Sequence, residues 1–155
     1  MSGLSLPLDG GCRCGRVRFQ VTAAPLLTMA CHCTGCQRMT ASAYSLSALF
    51  TDDGFAVTQG EPVIGGLRAE DQHYFCDFCM SWMFTRPGGM DGYVNVRASL
   101  FDEAGWAAPF IETWTREKLP WAASGAVHSF EANPAEADFP MLLEAYAEKI
   151  GRASP

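Results

Sequence analysis

Gly10-Gly11-Cys12-Arg13-Cys14-Gly15-Arg16-Val17-Arg18-Phe19-Gln20-Val21-Thr22 couples a cysteine pair to a strictly alternating run. The alternation puts Val17, Phe19 and Val21 on one face of a strand and Arg16, Arg18 and Gln20 on the other, the pattern of a half-buried β-strand. Residues two apart on an extended segment project to the same side, so the sulfurs of Cys12 and Cys14 can face a single ion. A strand that begins at a pair of metal ligands implies a β scaffold stapled by a cation.

Working outward, similar short runs occur at Ala43 to Leu49, Phe55 to Thr58, Gln72 to Phe75, Trp82 to Thr85 and Tyr93 to Val96. Turn signals separate them: Asp52-Asp53-Gly54, Gly65-Gly66, Pro87-Gly88-Gly89 and Asp91-Gly92. The one convincing helix lies near the end, where Phe139-Pro140 precedes Met141, Leu142, Ala145, Tyr146, Lys149 and Ile150 at helical spacing. Its apolar stripe is expected to pack on the sheet, with a contact between two copies of the chain as the alternative. The chain therefore reads as mainly β, with antiparallel sheets and a C-terminal helix. Its 155 residues suit one domain over 1–150, followed by a loose tail at 151–155.

Seven cysteines fall into three groups, Cys12-x-Cys14, Cys31-x-Cys33-x-x-Cys36 and Cys76-x-x-Cys79. Met1 to Leu8 has neither the positive charge nor the apolar run of a secretory leader, so a cytoplasmic setting with reduced thiols is expected. In that setting the groups read as zinc ligands, ahead of disulfides, iron–sulfur ligation or unligated core cysteines. Cys76-Asp77-Phe78-Cys79 lies between two strand-like runs, where a tight turn can return the second sulfur toward the first. With Cys12 and Cys14 it supplies two plus two ligands, enough to close a tetrahedral structural site. Cys31, Cys33 and Cys36 can converge locally and leave a fourth corner open. Three thiolates leave Zn²⁺ at net −1, a poor activator of water but a good seat for an incoming thiol.

The formal charge is −6, and two dications on seven thiolates make the balance more negative still. Lys and Arg are scattered, which argues against a nucleic-acid binder. No apolar stretch approaches the roughly 20 residues that span a bilayer.

The ordered pattern is recognisable. Gly10-Gly11-Cys12-x-Cys14-Gly15-x-Val17-x-Phe19, then Cys31-His32-Cys33-x-x-Cys36-Gln37-Arg38 leading to Ala41-Ser42-Ala43-Tyr44, then Phe75-Cys76-x-x-Cys79, resembles the glutathione-dependent formaldehyde-activating enzyme family, also called the GFA or CENP-V domain. Trp114, Leu119, Pro120 and Trp121 look like a weaker C-terminal part of the same domain. The resemblance implies a β-tent fold and two zinc ions. One would be structural on Cys12, Cys14, Cys76 and Cys79, the other catalytic on Cys31, Cys33 and Cys36. It also implies a carbon–sulfur lyase that joins glutathione and formaldehyde as S-(hydroxymethyl)glutathione.

Met80 departs from the family pattern, which places glycine after the second knuckle's last cysteine, as Gly15 follows Cys14. If that position needs a left-handed backbone, methionine strains it. His32, between two ligands, is expected to point away from the ion as a core or supporting histidine, and His73 and His128 to be structural. Glutathione carries two carboxylates, and Arg38 is the basic residue beside the central cluster, making it the candidate anchor. Gln37, Ser42 and Tyr44, with the turn Arg86-Pro87-Gly88-Gly89, are further candidates for the pocket. The competing function is a zinc-stabilised binding module without catalysis.

Overall fold

The computed structural model describes residues 4–151. Along them run β1 (Leu8–Gly11), β2 (Arg18–Val21), β3 (Leu27–Cys31), α1 (Thr34–Thr40), β4 (Ser45–Thr51), β5 (Phe55–Gln59), β6 (Val63–Gly65), β7 (Gln72–Phe75), β8 (Trp82–Arg86), β9 (Tyr93–Arg97), β10 (Ile111–Thr113), β11 (His128–Ser129) and α2 (Phe139–Lys149). The small sheet has the order β1-β2-β5, the large one β11-β10-β3-β4-β9-β8-β7-β6. Pairing is antiparallel except that β10 lies parallel to both β3 and β11. The fold is mainly β with a C-terminal helix, as the sequence predicts. Apart from Gly151, the tail expected at 151–155 lies outside the described residues.

Val17, Phe19 and Val21 are buried as the alternation requires, and they face Ala48, Phe50, Phe84, Val94 and Val96 of the large sheet. Phe19 is the keystone of this core. Its ring meets Phe101 edge-on at 5.2 Å and Phe55 at 5.8 Å, geometries that aromatic quadrupoles favour. Close approach explains a glycine here: a Cβ at Gly10 would stand 2.4 Å from Phe19 Cζ and 2.6 Å from the Leu100 carbonyl oxygen. A second core joins Leu27, Leu49, Phe110 and Ile111 to Leu142 and Tyr146 of α2. The helix thus packs on the sheet as expected, although Met141 is exposed and Ala147 is buried instead.

Each strand-like run in the sequence is a strand, but β1, β3, β6, β10 and β11 carry no such signal. In β3, Leu27, Thr28 and Ala30 are all buried, because the strand lies inside the large sheet between β10 and β4 with both faces covered. Alternation vanishes when both faces are dry. Helix α1 corrects the expectation of a single helix. Its seven residues include none that is fully buried, so no apolar stripe announces it. Local bonds make it instead: Cys33 Sγ accepts from the Cys36 amide at 3.3 Å at its start. Ala41, left-handed at φ 50°, ends it.

Candidate metal centres

Two knuckles build the first centre. After β1 the chain turns at Cys12, where the Gly15 amide donates to the Cys12 carbonyl at 3.0 Å. After β7 it turns again at Cys76, and the Met80 amide donates to the Cys76 carbonyl at 3.0 Å. The turns are counterparts, and the residue closing each is left-handed: Gly15 at φ 79° and Met80 at φ 57°. Cys12 and Cys14 therefore converge through a turn and not, as the sequence suggested, along an extended strand. Cys12 Sγ and Cys14 Sγ are 3.5 Å apart, and Cys14 Sγ and Cys76 Sγ 3.7 Å. Four sulfurs at about 2.3 Å around a tetrahedral zinc would be about 3.8 Å apart, so the cage has the right size. Burial resists ionisation of Cys79, but hydrogen bonds from the Ser81 hydroxyl and backbone outweigh it and lower the thiol to about 5. Cys14 moves the other way, to about 11: its backbone bond to Arg16 favours the thiolate, but burial and the neighbouring sulfurs prevail.

The second centre sits where β3 runs into α1. Cys31, Cys33 and Cys36 bring their sulfurs within 4.8 Å of one another, and among the described residues no fourth His, Cys, Asp or Glu joins the group. Sulfurs this close cannot all be anionic unaided. Hydrogen bonds from Cys31 and Cys36 lower Cys33 to about 2, whereas the bond with Cys33 pushes Cys31 upward and the bonds with Cys31 and Cys33 push Cys36 upward. A divalent cation resolves that conflict, and three soft donors fit one that prefers thiolates.

The loop between the ligands is anchored by residues some eighty positions later in the chain. His32 is fully buried, and its Nε2 lies 2.8 Å from Glu112 Oε2. Glu112, on β10, also accepts from Lys118 Nζ, from Ser124 Oγ at 2.7 Å and from Ser129 Oγ at 2.7 Å. Gln37 Nε2 donates to the His32 carbonyl at 2.7 Å and to the Glu117 carbonyl at 3.0 Å. His32 is thus a supporting histidine outside the ligand group, as its position between two ligands implies.

Between the centres lies a cavity of about 780 Å³. Thr40, Ser42 and Tyr44 wall it on the α1 side, Met80 and Ser81 on the knuckle side, and Trp82 with Arg97 between them. Volumes of about 300–1,000 Å³ are usual for small-molecule sites. Burial lowers the Arg97 guanidinium to about 10, with the charges of Cys36 and Cys31 acting in the opposite direction.

Ser42 and Tyr44 reach this cavity, whereas Arg38 is exposed on the last turn of α1 and does not line it. Gln37 clamps backbone instead. The turn at Arg86 lines a separate hollow of about 450 Å³, with Arg86 ion-paired to Asp52. His73 bonds Thr85 Oγ1 at 2.8 Å, and His128 is exposed against the Phe110 ring. Sequence reasoning missed Arg97 and Glu112. Arg97 closes the alternating run Tyr93 to Arg97, but nothing local reveals which cysteines it will face.

Fold and site together define a mainly β protein with one four-thiol group and one three-thiol group, each able to hold a metal ion. The chain belongs to the glutathione-dependent formaldehyde-activating enzyme family, whose model matches residues 7–117. A crystal structure of a Rhodobacter sphaeroides protein is similar, at 20% identity and TM-score 0.49, covering 61% of this chain and 87% of that one. No curated protein matches the chain. No helix among the described residues is long and apolar enough to cross a membrane.

Proposed function

We propose that the protein is a zinc-dependent carbon–sulfur lyase that adds a small thiol, glutathione in the first instance, to formaldehyde. The observation that carries this reading is the contrast between a complete four-sulfur cage and a three-sulfur group that no fourth described side chain completes. Cys12, Cys14, Cys76 and Cys79 would hold a structural zinc, and Cys31, Cys33 and Cys36 a second one. At the second site the cation would supply a coordination position for an incoming thiol and lower its pKa.

The chain's own residues do the rest. The bond between His32 and Glu112 and the Gln37 clamp fix the loop that presents Cys31 and Cys33. The cavity walled by Thr40, Ser42, Tyr44 and Arg97 can seat the body of the thiol. In the net reaction the sulfur forms a bond to the aldehyde carbon, the carbonyl π bond becomes a C–O single bond, and the thiol proton ends on that oxygen. A cytoplasmic compartment, which keeps thiols reduced, suits this chemistry.

The test is NMR exchange spectroscopy on formaldehyde and glutathione with and without the zinc-loaded protein. Faster exchange that disappears in Cys36→Ser is the expected result. No acceleration removes formaldehyde as the electrophile.

A further inference from the structure

Strand register sets Arg97 beside the three-cysteine group. Cys31 pairs with Ser45, and Ser47 pairs with Arg97. Directly opposed residues share a face of a sheet, as do residues two apart on one strand, so Cys31, Ser45, Ser47 and Arg97 stand on the same face. The Arg97 side chain is buried at 8% exposure, and its guanidinium carbon lies 3.9 Å from the centre of the Trp82 ring. It forms no salt bridge with any described carboxylate, and its Nε has no hydrogen-bond partner among the described residues.

A buried cation left in that condition is costly, and the neighbouring thiolates relieve it only in part. Cys31 and Cys36 act on Arg97 through space, and no hydrogen bond joins it to either sulfur. Arg97 also lines the large cavity, and the carboxylate there, Asp102, is bonded to Arg18. Arg97 is therefore a dry, pre-positioned fork facing a cavity that offers it no free anion.

We propose that Arg97 binds a carboxylate of the thiol substrate, so that the site selects small thiols bearing a carboxylate a short reach from the sulfur. The inference rests on the thiol-binding reading above. Planar guanidinium suits this task because it can grip both carboxylate oxygens at once, and stacking on Trp82 holds the plane without consuming its N–H donors.

Calorimetric titration of the zinc-loaded protein with glutathione and with its diethyl ester, alongside zinc analysis, tests it. A charge-assisted bidentate contact predicts that the native protein binds the acid at least about tenfold more tightly than the ester. In Arg97→Met the two affinities should converge, with the ester's Kd nearly unmoved and zinc content retained. Arg97→Lys, which keeps the charge and loses the fork, should preserve part of the preference and guards against misfolding of the Met variant. Equal binding of acid and ester by the native protein overturns the proposal, as does an equal loss of both ligands in a folded, zinc-replete Arg97→Met. Binding of neither thiol by the native protein overturns the underlying thiol reading as well, which separates the two failures.

Discussion

His32 Nε2 and Glu112 Oε2 meet at 2.8 Å across eighty positions of sequence, with the histidine fully buried. Through this contact the segment that follows β9 grips the loop carrying two of the three central cysteines. Glu112 collects its further donors from Lys118, Ser124 and Ser129, so one carboxylate also ties the β10 to β11 connection together.

Replacing Glu112 by alanine strands a buried imidazole, an ammonium and two hydroxyls. Loss of the network should cost about 3 kcal/mol, read from urea denaturation of the zinc-loaded protein. A cost under about 1 kcal/mol would show the network to be dispensable.

Glu112 also predicts an acid response. Burial opposes its ionisation, but the bonds from Ser129, Ser124, Lys118 and His32 prevail and hold it at about 2 against an ordinary 4.5. The unfolded chain therefore takes up the proton first as pH falls, and the stabilisation present above pH 4.5 drains away toward pH 2. Denaturation midpoints of the native protein should fall more steeply across that window than those of Glu112→Gln. Parallel curves would exclude the carboxylate as the cause.

The two cysteine groups should fail differently. Cys76→Ser removes a sulfur from the cage that joins the two knuckles, and unfolding or a large loss of thermal stability is expected. Cys36→Ser should release one equivalent of zinc and abolish thiol exchange while the circular dichroism spectrum stays native. If Cys36→Ser unfolds the domain instead, the central group is structural and the protein is a zinc-stabilised binding module.

Met80 offers a gain of stability. Its left-handed φ of 57° matches that of Gly15 on the counterpart knuckle, and its side chain is 58% exposed. Left-handed backbone costs a non-glycine residue about 1–2 kcal/mol, partly offset by the extra freedom glycine has when unfolded. Met80→Gly should therefore raise thermal-unfolding stability by about 0.5–1 kcal/mol. No change would mean that the knuckle tolerates methionine without strain.

Gly10 predicts the opposite sign. A methyl group there meets the Leu100 carbonyl oxygen and the rigid Phe19 ring. Gly10→Ala should destabilise by about 1–3 kcal/mol in the same assay, and a neutral outcome would mean that the Phe19 ring and the Leu100 backbone can yield at little cost.

Much of this was legible before any tertiary information. Alternation in Val17, Phe19 and Val21 marks the core face of β2 because a strand's side chains follow a period of two whatever lies around them. Cysteine spacing likewise marks both thiol groups, since ligands two or three residues apart converge through local turns. Even the strained position of Met80 follows from comparing the two knuckles. Strand β3 and helix α1 left no trace, the one because it is covered on both faces, the other because it buries no stripe.

Amino-acid order thus settled which thiols gather and which faces are dry, properties governed by backbone geometry over a few residues. Sheet order and register settled everything that depends on distant neighbours. Arg97 comes to face Cys31 only because β4 lies between β3 and β9 in a particular alignment, and a slip of one residue would turn its guanidinium to the other side. Glu112 reaches His32 only because β10 lies parallel against β3. Contacts of this kind are chosen by the packing of the whole chain, so no local periodicity can encode them.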